Sequence, residues 1–94
     1  MHNSAKLKVK GGKLIEVAVD YNGAISKVVI TGDFFMHPES TLTDIEKQLI
    51  GANISDSEEE FTARISSAVE KKDVTMIGIS PQDIARAVKM VVGL

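Results

Sequence analysis

The sequence predicts an α+β two-layer sandwich, a three-stranded antiparallel meander followed by helices packed on one face. Three observations carry that expectation. Strand-type alternation runs from residue 6 to residue 31, interrupted only by Gly11-Gly12 and Asn22-Gly23. After residue 39 the apolar residues recur at helical spacing instead. Two later segments, Ser57-Glu58-Glu59-Glu60 and Ser80-Pro81-Gln82-Asp83, carry helix-start chemistry. Strands first and helices after is the order of segregated α+β layers.

The elements follow in order. Residues 6–10 read Lys-Leu-Lys-Val-Lys, a half-buried strand with Leu7 and Val9 inward. The lysines on its other face also protect an edge from mispairing. Gly11-Gly12 punctuates, and Leu14–Tyr21 puts Ile15, Val17, Val19 and Tyr21 on one face. Asn22-Gly23 is a strong hairpin signal because both residues tolerate positive φ. Ile25–Thr31 is the returning strand. In the first helix Leu42, Ile45, Leu49 and Ile50 share a stripe. Thr43 and Glu46 fit a capping box, while Pro38-Glu39 allows a start one turn earlier. Gly51 is a stop.

Ser57 and Glu60 fit a second capping box, and the acids at 58–60 suit a helix N-terminus. That helix carries Phe61, Ile65, Ala68 and Val69 on one stripe, with Lys71-Lys72 in its last turn. Val74–Ile79 reads as a buried connector or a short strand. The last helix opens with Ser80 as cap and Pro81 at its first position. Ile84, Val88 and Val91 line one face, with Ala85 and Val92 beside them, and Gly93 ends it.

Composition narrows the function. A chain of 94 residues fits one domain with one modest core. No apolar run reaches a membrane span and no signal-peptide pattern opens the chain. The absence of Cys removes disulfide, thiolate nucleophile and thiolate metal site. These features fit the cytoplasm. A formal net charge of −2 argues against general nucleic-acid binding. The charge is uneven: Lys6, Lys8, Lys10 and Lys13 precede the first acid, Glu16. They read as a solvated strand face or as a patch facing phosphate or an acidic partner.

The most informative segment is Gly32-Asp33-Phe34-Phe35-Met36-His37-Pro38-Glu39, where strand pattern gives way to helix pattern. Two of the four aromatic residues stand here. Gly32 supplies a backbone angle or a close approach. Asp33 caps the turn or the helix start, and a second positioned group for acid–base chemistry is not suggested. Phe34 and Phe35 read as one core plug and one partly exposed contact. His37 reads as a turn residue or a helix cap. His2 and His37 lie in no ligand spacing, so no metal site is expected. Lys10-Gly11-Gly12-Lys13 lacks the phosphate-loop spacing and is followed by a strand, so a Gly-Gly turn is the better reading. No catalytic residue is expected in this chain.

Gly11-Gly12-Lys13-Leu14-Ile15 with its following hairpin, together with Ile30–Glu39, resembles the C-terminal accessory domain of lipoate–protein ligases. The likeness runs over nearly the whole chain and is sharpest at those two segments. With Met1 at one end and Leu94 at the other, residues 1–94 resemble the split form, a separate subunit beside a catalytic one. The resemblance implies a fold similar to iron–sulfur scaffold and sulfur-acceptor proteins, without their cysteine chemistry.

The resemblance also implies a function. Lipoate and ATP form lipoyl-adenylate, and the lipoyl group passes to a lysine of an acceptor: a lipoyl domain of a 2-oxoacid dehydrogenase or the glycine-cleavage H protein. ATP, Mg²⁺ and lipoate belong mainly to the catalytic subunit, with no cofactor held by this chain alone. The accessory chain is then the heterodimer partner that supports adenylation. Gly32, Asp33, Phe34 and Phe35 are the expected interface or adenylate-supporting residues. Lys13, in the family's Gly-Gly-Lys turn, would face a ligand phosphate or an acid across the interface. Two other classes remain: a cysteine-free scaffold-like binding or adaptor module unrelated to lipoylation, and a regulatory subunit of another adenylating enzyme.

Overall fold

The computed structural model describes residues 1–9, 11, 13–70 and 73–93. Lys10 and Gly12, expected in the Gly-Gly-Lys turn, and Lys71-Lys72, expected in the last turn of the second helix, lie outside the described residues. The elements are β1 (His2–Lys8), β2 (Leu14–Asn22), β3 (Ala24–Gly32), β4 (Phe35–His37), α1 (Ser40–Leu49), α2 (Glu58–Glu70), β5 (Thr75–Ile77) and α3 (Pro81–Val92). The first three strands form an antiparallel sheet in the order β1-β2-β3. Helices follow on one face, as the sequence predicts. No helix among the described residues is long and apolar enough to cross a membrane.

Period-two patterning builds the sheet. Ile15, Val17, Val19 and Tyr21 point inward from β2, and Ile25, Val28 and Ile30 from β3. The hairpin closes at Asn22↔Ala24 with Gly23 at φ +76°, a conformation without penalty for glycine. A register shift lies between Asp20 and Tyr21. The helices meet this face with Ile45 and Leu49 from α1, Phe61 and Ile65 from α2, and Ile84, Val88 and Val91 from α3. α3 packs on β1 and β2, α1 packs on β3, and α2 packs against α1 and α3. Full burial of each such side chain contributes about 1.5–3 kcal/mol.

Caps set the helix starts. Glu60 N–H donates to Ser57 Oγ at 3.1 Å, and Ser57 N–H donates to Glu60 Oε1 at 3.2 Å. Ser80 and Asp83 form the same reciprocal pair at α3, with Pro81 at its first position. Gly51, at φ +88°, follows the end of α1.

Several expectations need correction. The first strand covers His2–Lys8 rather than 6–10. Its polar start is held because the Met1 ammonium donates to the Tyr21 carbonyl at 2.8 Å and Asn3 Nδ2 donates to the Tyr21 hydroxyl at 2.9 Å. Val9 is buried beyond the strand end. Thr43 and Glu46 form no capping box: α1 starts at Ser40, and the Glu46 carboxylate accepts from Ile30 N–H across to β3 at 2.9 Å. Ile50 is exposed past the helix end, and Thr41 is buried in its place on the α1 stripe. Val69 is half-buried at the margin of the core. Of the two readings of 74–79 the short strand holds, as β5; its antiparallel partner β4, in the aromatic corner itself, is not among the expected elements.

Candidate functional site

The corner is built by the chain leaving β3. Gly32 is there for close approach, not for a special φ. A Cβ on it would lie 2.3 Å from the Leu14 carbonyl oxygen and 2.7 Å from the Phe34 ring. Asp33 then clamps the start of β2. Leu14 N–H donates to Asp33 Oδ1 at 2.6 Å, and Asp33 N–H donates back to the Leu14 carbonyl at 3.1 Å. The carboxylate therefore caps the ladder end and not the helix start. Across the same junction, Val9 N–H donates to the Lys13 carbonyl at 2.8 Å.

The aromatic pair divides as the sequence predicts. Phe34 is half-buried and packs against the core, while Phe35 is 53% exposed. Phe35 opens β4, where it lies directly opposite Ile77 of β5, itself 57% exposed. His37, on the same face two residues on, stacks its ring parallel to that of Phe35, with centroids 6.4 Å apart. It belongs to the ribbon and does not cap α1, whose N-cap is Glu39. The alternate face of the ribbon turns inward: Met36 is buried and Met76 packs on the core. The His37–Pro38 peptide is cis. The outer face thus offers a phenyl ring and a branched aliphatic chain side by side, the type of surface that anchors partners.

Lys13 reaches this ribbon from the other side. A Cβ added to Gly78 would lie 2.6 Å from Lys13 Cγ, so the lysine stem runs across the glycine backbone just after β5. Gly78 sits at φ +84°, a second reason for glycine there. Lys13 is exposed, and among the described residues its ammonium has no ion-pair partner. The structure therefore brings Lys13, Gly32, Asp33, Phe34 and Phe35 to one end of the molecule. Lys6 and Lys8 lie on the exposed face of β1.

Beside the corner lies a groove of about 530 Å³ between the end of β3 and α1. Ile30, Thr31, Gly32, Phe34 and Phe35 form one side, with Leu42, Glu39 and Glu46 from the helix side. Sequence reasoning missed Ile77, Gly78 and Glu46. β5 is three residues long, too short for its alternation to be told from a buried run. The link between Glu46 and Ile30 spans 16 positions and has no local signature.

The chain and its fold are similar to known proteins. No model of a known protein family matches the chain. It is 33% identical over 92 residues to lipoate-protein ligase A subunit 2 of Thermoplasma acidophilum, covering 97% of this chain and 92% of that protein. A solved chain from an archaeal lipoylation system of T. acidophilum, a bipartite lipoate protein ligase studied with its E2 lipoyl domain, superposes with a TM-score of 0.77. There the identity is 32%, and 94% of each chain is covered. End-to-end likeness in sequence and in fold leads to one conclusion: the chain belongs to the lipoate-protein ligase A subunit 2 family.

Proposed function

We propose that this chain is the non-catalytic accessory subunit of a two-part lipoate–protein ligase and that it supports ATP-dependent formation of lipoyl-adenylate by its catalytic partner. The end-to-end likeness to a subunit 2 carries the reading. The corner chemistry supports it: an exposed apolar pair and a lysine, with the Asp33 carboxylate committed to the Leu14 amide. Such a surface binds and orients; it does not make or break bonds.

In the first half-reaction a lipoate carboxylate oxygen attacks the α-phosphorus of ATP, giving the mixed anhydride and pyrophosphate. In the second, an acceptor lysine amine attacks the acyl carbon, forming the amide and releasing AMP. The catalytic subunit holds ATP, Mg²⁺ and lipoate. This chain stabilises the arrangement in which carboxylate and α-phosphorus meet, because positioning supplies several kcal/mol of barrier reduction. Its Phe35–Ile77 face buries against the catalytic subunit in a cytoplasmic heterodimer, and Lys13 faces a phosphate or an acid of that subunit. Acceptors are lipoyl domains and the glycine-cleavage H protein.

Reconstitution tests the reading. This chain alone forms no adenylate, the catalytic subunit alone ligates poorly, and the mixture modifies an acceptor lysine in a lipoate- and ATP-dependent way. Adenylate formation by the isolated chain would contradict it.

A further inference from the structure

β3 is an edge strand, and the chain covers that edge only in part. At its start the segment after α1 pairs with it: Gly51 N–H donates to the Ile25 carbonyl at 2.7 Å, Ile25 N–H to the Ala52 carbonyl at 2.9 Å, and Ile54 N–H to the Gly23 carbonyl at 3.1 Å. Further along, no backbone from this segment reaches Ile30. Its N–H, pointing off the edge, donates to the Glu46 carboxylate. Gly32 is in phase with Ile30, so its N–H points off the same edge. The groove begins where the cover stops, lined by Ile30, Thr31 and Gly32 on one side and by α1 on the other.

Exposed edges of this kind are covered, blunted or used. Glu46 stands where the carbonyl of a neighbouring strand would accept. The two charged residues of the groove, Glu39 and Glu46, are both acids, and its other walls include Phe34, Phe35, Met36 and Leu42. An occupant must therefore offer backbone to the edge, a cation to the carboxylates and apolar side chains to the walls. The groove is continuous with the Phe35–Ile77 ribbon, since Phe35 belongs to both.

We propose that the free end of β3 is a strand-acceptor site, in which an extended segment of the catalytic subunit, bearing Lys or Arg among apolar residues, pairs with Ile30–Gly32, displaces the Glu46 carboxylate and takes it as an ion-pair partner. This inference rests on the subunit reading above. Strand addition draws its affinity from the main chain and its specificity from the side-chain pockets. It also gives the corner a rigid seat, because the segment continues the sheet that Asp33 already clamps.

The test is residue-resolved amide exchange on the isotope-labelled chain, alone and saturated with the catalytic subunit. Pairing predicts that exchange at Gly32 slows by at least about tenfold in the complex. In parallel, Glu39→Lys and Glu46→Lys each weaken the complex by about tenfold at low salt, and the loss shrinks as salt rises. Glu39 makes no side-chain cap to α1, so its variant keeps the fold and serves as control for Glu46, which does hold Ile30. A complex that forms with Gly32 exchange unchanged overturns strand pairing and leaves the subunit reading standing. Absence of any complex overturns both.

Discussion

Among the described glycines, Gly32 has the closest neighbours to an added Cβ. Any Cβ there meets a carbonyl oxygen at 2.3 Å on one side and an aromatic ring on the other. Relief requires the β2–β3 ladder end to open, which also loosens the Asp33 clamp. Gly32→Ala is expected to cost about 1–3 kcal/mol, the range for overpacking a filled site, read as a lower urea midpoint at unchanged slope. Asp33 differs: exposed, it acts through the Leu14 amide and so sets the position of the turn that carries Lys13. Asp33→Ala and Lys13→Ala are expected to slow lipoyl-adenylate formation, with transfer from supplied lipoyl-adenylate near normal. The assay compares the two half-reactions after checking that each variant folds and binds.

At the scale of elements, the β4–β5 ribbon and α3 make opposite demands. Phe35 and Ile77 are outside the core, so Phe35→Ala and Ile77→Ala are expected to change stability by less than about 0.5 kcal/mol. Each is expected to weaken binding to the catalytic subunit by about 2 kcal/mol or more, as buried aromatic and aliphatic anchors do; calorimetric titration measures it. Unchanged binding in both would place the interface elsewhere. Ser80 gives the reverse pattern. Its Oγ caps α3 through Asp83 N–H, so Ser80→Ala is expected to cost about 1 kcal/mol of stability with affinity preserved.

These elements also show what the sequence makes legible. β2, β3, α2 and α3 are readable because their signals are local: alternation, Asn22-Gly23, and caps three residues apart. That one corner aromatic packs inward and the other faces out is readable, and the structure gives the half-buried place to Phe34 and the exposed one to Phe35. β4 is not readable and β5 is read only as a connector or a short strand, because three residues do not establish a period and the pairing of Phe35 with Ile77 spans a helical layer in sequence. Glu46 misleads for a related reason: capping-box spacing is present, but the β3 edge competes for the carboxylate and wins. Thr41, outside the apolar stripe expected for α1, is fully buried, and among the described residues its hydroxyl has no hydrogen-bond partner.

At the scale of the whole molecule, the sheet carries the corner and the helices hold the sheet. Lys89 of α3 donates to the carbonyls of Ile54 and Asp56 at 3.1 and 2.8 Å, with its ammonium 5.8 Å from the centre of the Phe61 ring. It ties α3, α2 and the segment covering the start of β3 into one body. A rigid body with one apolar end suits a subunit that closes over a partner's site, since a lid acts through differential contacts in two states. Phe61→Ala, deep in that body, is expected to lose about 3–5 kcal/mol, enough to abolish the accessory effect through unfolding; circular dichroism separates that from loss of contact.

On the proposed function, this chain serves adenylation and not acceptor transfer. Its most direct test measures both half-reactions of the catalytic subunit with this chain present and omitted: pyrophosphate release from lipoate and ATP, and lipoylation of an acceptor from supplied lipoyl-adenylate. Omission is expected to reduce pyrophosphate release strongly and to leave transfer near normal. Equal loss of both steps would contradict it and assign the chain to acceptor docking or general stabilisation.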